Sequence, residues 1–398
     1  MSTLLAGVGR LFTSGRPVEE DMEVLLDDGV ITAIGKSGTL AVPTEAQVYD
    51  CQGALLTPGL IDAHTHPVYA RPRLTEIAER AAGAGYAEIA TRGGGINSTV
   101  RETRRTPWAE LEAGLRSRLH LWLAWGTTTV EAKSGYWLER EGELRALQLL
   151  AQLANQPDLP RLEVTFLGAH GLPVESQGRR AEFVTEVASW CADARLAGAR
   201  FADVFCDQGA FTVAEAGRLL GAAREAGLEL RIHADELALS GGTQLAVELG
   251  ATSADHLLWL RTEDVVALAG SATVATLCPV TALNLGRNPP ARELLAAGVP
   301  VALGTDHNPG TSGATSMSLI VWLAITELGL SVEQALAAAT SGGARSLALR
   351  DRGRIAVGLS ADLVLWDTDH EAGFAWNPIL RPLQVWREGR RGPDQPAG

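Results

Sequence analysis

From Gly59 to Leu349 the chain alternates short apolar runs with longer amphipathic ones. Strand side chains change face at every residue, whereas one helix face recurs every three to four. On that basis residues 127–132, 162–169, 201–206, 228–232, 252–255, 272–278 and 299–304 read as strands. Residues 141–153, 181–194, 214–226, 241–249 and 290–297 read as helices. The apolar run ahead of His64 adds an eighth strand. Strands and helices in that alternation predict an α/β fold, a (β/α)8 barrel of the TIM type.

The two ends of the chain follow a different pattern. Residues 22–26, 29–34 and 46–50 are brief extended runs separated by turn signals such as Asp27-Asp28-Gly29. Residues 353–355, 361–366 and 383–386 repeat the pattern near the other end. Chain termini of a domain often lie close together. The expected organisation is a barrel over 59–349 and a small composite β-sandwich from 1–58 and 350–398. The stretch 390–398 is expected to be a disordered tail.

Composition narrows the classes. The 398 residues are 46% hydrophobic and 20% charged, with a formal net charge of −13. Such acidity excludes nucleic acid and anionic membranes as main partners, because both need basic patches. The uncharged stretch 265–286 carries Ser271, Thr273, Thr276, Pro279, Thr281 and Asn284, and reads as barrel core rather than a membrane span. Cys51, Cys191, Cys206 and Cys278 are widely spaced and read as reduced core residues. The N-terminus lacks a secretory pattern, so the expected location is cytoplasmic. The expected partners are a small-molecule substrate and a second copy in a homodimer, with no nucleic acid and no membrane.

A barrel of this type places its chemistry where strands end. Six of the eight histidines fall there: His64, His66, His170, His233, His256 and His307. His120 falls on a helix surface and His370 in a polar loop. His64 and His66 are two apart, so an extended backbone projects both to one side. Two imidazoles together suit zinc or iron. Taken singly, His256 also fits a satisfied core histidine, Glu236 a surface glutamate opening a helix, and Arg73 a solvated arginine.

Several stretches together resemble the amidohydrolase superfamily and, within it, the imidazolonepropionase family. They are His64-Thr-His-Pro-Val-Tyr-Ala-Arg-Pro-Arg73, Gly93-Gly-Gly-Ile96, Glu131-Ala-Lys-Ser-Gly-Tyr136, Gly168-Ala-His170, His233-Ala-Asp-Glu236, Ser253-Ala-Asp-His256 and Thr305-Asp-His-Asn-Pro-Gly310. The likeness runs from about Pro58 to Gly343 and continues into Gly358–Asp362. Two departures concern loop shape: Trp137 and Arg71 stand where the family usually or often has glycine. The Gly93-Gly94-Gly95 run suits a lid or a close backbone approach, and equally a turn.

The resemblance implies one zinc or iron ion per subunit, held by His64, His66, His233 and Asp306. Two-metal relatives carry a lysine at the end of the fourth strand, where this chain has Asp207-Gln208, so one ion is expected. It further implies hydrolytic opening of the 4-imidazolone-5-propanoate ring to N-formimidoyl-L-glutamate, in histidine degradation. Metal-activated water attacks the ring carbonyl, Glu236 shuttles the proton and His256 stabilises the oxyanion. Arg73 takes the substrate's carboxylate, and Tyr136, His170, Glu236, Asn308, Gly310 and Thr311 complete the substrate site. Asp62 and Asp255 are expected to organise surrounding hydrogen bonds, Lys133 to anchor a loop, and His307 to point away. The rival reading is an aminohydrolase of the cytosine or guanine deaminase type, which uses the same ligands. A catalytically dead barrel serving in an assembly is a third.

Overall fold

A computed structural model describes residues 2–83 and 93–392. The chain begins with β1 (Thr3–Leu11), β2 (Glu19–Asp27), β3 (Val30–Lys36), β4 (Gln47–Asp50) and β5 (Leu55–Pro58). Eight parallel strands follow: β6 (Leu60–Asp62), β7 (Thr127–Lys133), β8 (Arg161–Ala169), β9 (Phe201–Cys206), β10 (Glu229–Ala234), β11 (Ser253–His256), β12 (Val274–Leu277) and β13 (Val301–Leu303). Then come β14 (Leu363–Trp366), β15 (Pro382–Arg387) and β16 (Arg390–Arg391).

The strands from both ends form one mixed sheet in the order β16-β15-β14-β5-β1-β2-β3, with β4 also on β1. Leu5, Val8, Val24, Leu56, Leu365 and Trp386 share its buried core. The chain passes from this sheet to the barrel at Gly59, where a Cβ would lie 2.1 Å from Thr128 Oγ1. Only glycine permits that approach.

The barrel strands run in chain order, each parallel to the next, and their helices bury apolar faces against them. The first and last strands then meet. The Ala63 N–H donates to Leu303 O (3.2 Å), the Asp306 N–H to His64 O (2.9 Å) and the His66 N–H to His307 O (2.8 Å). Closure therefore brings the end of β6 beside the end of β13. Asp62 reinforces it, accepting from the Thr305 N–H and Oγ1–H and from Trp122 Nε1–H. Burial pushes the Asp62 carboxyl up to about 7 against the pull of those donors.

The strand expectations match the barrel to within a few residues. The structure also departs from those expectations. β1 was not anticipated because Gly7 (φ 65°) and a register shift between Leu5 and Val8 break the alternation. Arg390–Arg391 is not disordered: it pairs with β15 as β16. Residues 393–398 of the expected tail lie outside the described ones. Helices Ile96–Arg105, Trp108–Ala124 and Met317–Thr326 were also missed. The last is apolar on nearly every side and shows no polar face for periodicity to detect. No helix among the described residues is long and apolar enough to cross a membrane. All four cysteines are free and buried.

One ion pair ties neighbouring barrel helices together. Arg180 opens the helix Arg180–Leu196 and donates to both carboxylate oxygens of Glu215 (2.6 and 2.9 Å). Glu215 also completes the capping box with Thr212 at the start of Val213–Glu225. The Arg180 hydrogen bond holds the Glu215 carboxyl down to about 2. A depressed carboxylate stabilises the fold above its ordinary value of 4.5 and stops doing so as pH falls toward 2. Glu215→Gln is therefore predicted to lose about 1 kcal/mol in urea denaturation at pH 7, with the gap to wild type closing as pH falls below the ordinary carboxylate value.

Candidate metal centre and active site

Four ligand atoms from three strand ends converge. His64 Nε2 lies 3.2 Å from His66 Nε2, and His233 Nε2 lies 3.3 Å from the same atom. Asp306 Oδ1 is 3.6 Å from His64 Nε2 and 3.4 Å from His66 Nε2. Bonds of about 2.1 Å to a shared ion place donor atoms roughly 3–3.4 Å apart, so this spacing fits one ion. His64, His66 and His233 are each buried and form a cluster of metal-holding geometry.

The protonation states of His64, His66 and Asp306 suit ligation. Burial holds His64 well below the ordinary imidazole value and pushes His66 down to about 4, despite Asp306. Asp306 stays well below the usual carboxylate range: burial opposes this, but the neighbouring imidazoles and Thr281 outweigh it. His233 goes the other way, because Asp203 beside it outweighs burial. His64 Nδ1 meets Asp255 Oδ2 at 2.7 Å, and His233 Nδ1 meets Asp203 Oδ2 at 3.0 Å. Carboxylates on Nδ1 leave Nε2 facing the centre.

The backbone around the centre is strained. Asp235 (φ 51°), His256 (φ 78°) and Asp306 (φ 48°) all occupy the left-handed region. At Asp235 the carboxylate holds the turn, accepting from the N–H groups of Ser240, Gly241 and Thr243. Asp207 does the same for the next residues, accepting from the N–H groups of Glu236, Leu237 and Ala238. Glu236 is thus fixed at the rim. Burial raises its carboxyl above the usual range, against the pull of His256. Its Oε2 is 3.7 Å from His256 Nε2, a buried atom with no hydrogen-bond partner among the described residues.

A cleft opens above these atoms. Arg73, Tyr136, Glu236, His256, Asn308 and Thr311 line it together with His66, His233 and Asp306. Two expected site residues sit just behind its wall. His170 stacks on His66 with ring centroids 4.7 Å apart, and Gly310 packs against Arg73, where a Cβ would fall 1.7 Å from a guanidinium nitrogen. Arg73 donates through Nε to Glu76 (2.8 Å) and through Nη1 to Thr99 (2.7 Å). Glu76 also accepts from the Gly95 N–H, so the glycine run supports the arginine. Asn308 turns its amide inward, accepting from the N–H groups of Gly310 and Thr311 and donating to Asp306 O and Thr311 Oγ1.

Other expectations resolve individually. His307 is turned away, held between Tyr69 Oη (2.8 Å) and Ala314 O (3.0 Å). His120 and His370 are exposed. Lys133 forms the expected ion pair, but inside the barrel rather than on a loop: it is fully buried, with Nζ 2.7 Å from Glu131 and 2.9 Å from Asp203. Trp137 is buried and stacks flat on Trp108 at 4.7 Å, whereas Arg71 is exposed. The sequence reading missed Phe205, Leu237 and Leu285, the apolar wall of the cleft, and Thr281, whose hydroxyl donates to Asp306. It also missed Asp203, although a carboxylate at the centre of an apolar strand was a usable signal.

With this geometry in place, the comparisons agree. The amidohydrolase family model matches residues 55–391. An imidazolonepropionase of Anaeromyxobacter dehalogenans (strain 2CP-1) is 45% identical over 350 residues, 87% of this chain and 83% of its own. One from Bacillus cytotoxicus is 37% identical over 411 residues, covering 98% and 96%. The chain belongs to the imidazolonepropionase family of amidohydrolases. Solved structures carry the same fold: an adenosine deaminase from Xanthomonas campestris with bound zinc has a TM-score of 0.75 at 20% identity, covering 98% of this chain and 92% of its own. A triazine hydrolase variant has a TM-score of 0.73 at 19% identity, covering 98% and 94%.

The spacing of these four side chains predicts about one ion per chain. Elemental analysis of purified His66→Ala is expected to show most of that metal gone while circular dichroism stays as in wild type.

Proposed function

We propose that the chain opens the imidazolone ring of 4-imidazolone-5-propanoate by hydrolysis, giving N-formimidoyl-L-glutamate. The carrying observation is one cleft that joins a single-ion donor set, a raised buried carboxyl and an arginine. His64, His66, His233 and Asp306 would hold zinc or iron, which supplies Lewis-acid chemistry and makes water nucleophilic near neutral pH.

The chain's own groups do the rest. Water attacks the ring carbonyl carbon. Glu236 takes its proton and passes it to the departing ring nitrogen; a carboxyl lifted by burial is better matched to that shuttle. His256 directs Nε2 at the carbonyl oxygen and stabilises the charge that grows there. Arg73, braced by Glu76 and Thr99, binds the propionate. Tyr136 and the Phe205, Leu237 and Leu285 wall flank the ring. Asn308 shapes the turn that carries Gly310 and Thr311, and His170 backs His66.

In this reading residues 59–349 are the catalytic domain, and 1–58 with 350–398 are a composite domain beside it. Four buried free thiols support a reducing cytoplasmic setting. The homodimer belongs to the same reading, and light scattering tests it.

A spectrophotometric assay tests the activity: loss of imidazolonepropionate without release of ammonia is expected. Ammonia released from a nucleobase would assign the site to an aminohydrolase instead. Glu236→Gln is predicted to retain metal and fold and to lose about 10²–10⁴-fold in kcat; near-normal turnover would remove the shuttle role. Gly310→Ala should push the Arg73 guanidinium aside and raise KM with little change in kcat.

A further inference from the structure

Below the metal centre the barrel interior holds a chain of buried charges. Asp255 Oδ2, which meets His64 Nδ1, also accepts from Arg231 Nη2 (3.1 Å). Arg231 Nε lies 3.9 Å from Glu131 Oε1, and the same oxygen accepts from Lys133 Nζ (2.7 Å). Lys133 Nζ then meets Asp203 Oδ2 (2.9 Å), which meets His233 Nδ1. The chain runs from one ligand to another across β7, β9, β10 and β11, and all five of its charged side chains are fully buried. None of the five lines the cleft, so contact with substrate does not account for them.

We propose that Lys133 and Arg231, joined by Glu131, are positioning residues that act through Asp203 and Asp255 to aim both imidazoles at the metal. Hydrogen-bond inventory points the same way. A neutral imidazole has one N–H and one lone pair, and a carboxylate only accepts. On the His64 side Asp255 Oδ2 also accepts from Arg231 Nη2, so Nδ1 must donate and the Nε2 lone pair is left for the ion. On the His233 side Asp203 Oδ2 lies 2.9 Å from Lys133 Nζ and 3.0 Å from Nδ1, at ion-pair distance but without hydrogen-bond geometry, and the ammonium charge beside that oxygen favours the same tautomer. Other donors hold the ends of the chain. Arg231 donates to Ser346 O and Ala63 O, Glu131 Oε2 accepts from the Thr65 N–H, and Asp203 Oδ1 accepts from the His233 N–H. Thr65 sits between His64 and His66, so Glu131 also fixes the strand end that carries them. Buried ion pairs are weak contributors to stability, which leaves orientation as the better account of so many. The inference rests on the metal-site reading and not on the identity of the substrate.

The test is the double variant Lys133→Met with Glu131→Gln, which removes one charge of each sign and leaves the net buried charge unchanged. Zinc-loaded wild type and variant are titrated with a metallochromic chelator. The variant is expected to release zinc at about 10–100-fold lower chelator, with KM for the imidazolone within about twofold of wild type. A folded variant that holds zinc as tightly as wild type would overturn the proposal. Nitrogen-15 spectra of the zinc-loaded wild type decide it if the variant does not fold. His64 and His233 are each expected to show an Nδ1–H hydrogen-bonded and slow to exchange, and absence of either signal overturns the assignment. Wild type that binds no zinc would instead defeat the metal-site reading itself.

Discussion

The site depends on closure of the barrel between its first and last strands. His64 and His66 leave β6, Asp306 follows β13, and only the hydrogen bonds that join those two ends place them around one point. Gly304 shows how close the approach is: a Cβ there would lie 2.7 Å from His64 Cβ. The Asp62 bonds to Thr305 and Trp122 lock the same seam from below. His233 then completes the set from the opposite side of the barrel.

Holding that arrangement costs free energy in two forms. Three left-handed residues at the rim cost about 1–3 kcal/mol each. Buried charges at the base cost desolvation that their mutual pairing only partly offsets. Both costs are met where the chemistry sits, and the surrounding helices supply apolar burial to carry them. The strain at Asp235, His256 and Asp306 aims side chains that a relaxed strand end would direct elsewhere.

Much of this was legible in the chain. The barrel strands show because apolar runs alternate with amphipathic ones, and six histidines gather where those runs stop. Glu236 and Arg73, which line the cleft, stand out through motif context, since each alone looks like a surface residue. What stayed hidden depends on facing. Glu131 and Arg231 alternate with apolar neighbours inside strands, so nothing local says whether the charged face meets solvent or the barrel axis. Lys133 looked like a loop residue because its strand runs one position further than the pattern suggests. The Trp137 departure is absorbed by a stack on Trp108, a contact between distant residues that no local pattern encodes.

The central claim is that one ion sits among these four side chains. Anomalous diffraction at the metal absorption edge, from crystals of the protein purified with its native metal, tests it directly. The account predicts a single strong peak per chain, bonded to the Nε2 atoms of His64, His66 and His233 and to the Asp306 carboxylate. Two peaks in the barrel, or one peak bound away from these residues, would contradict it.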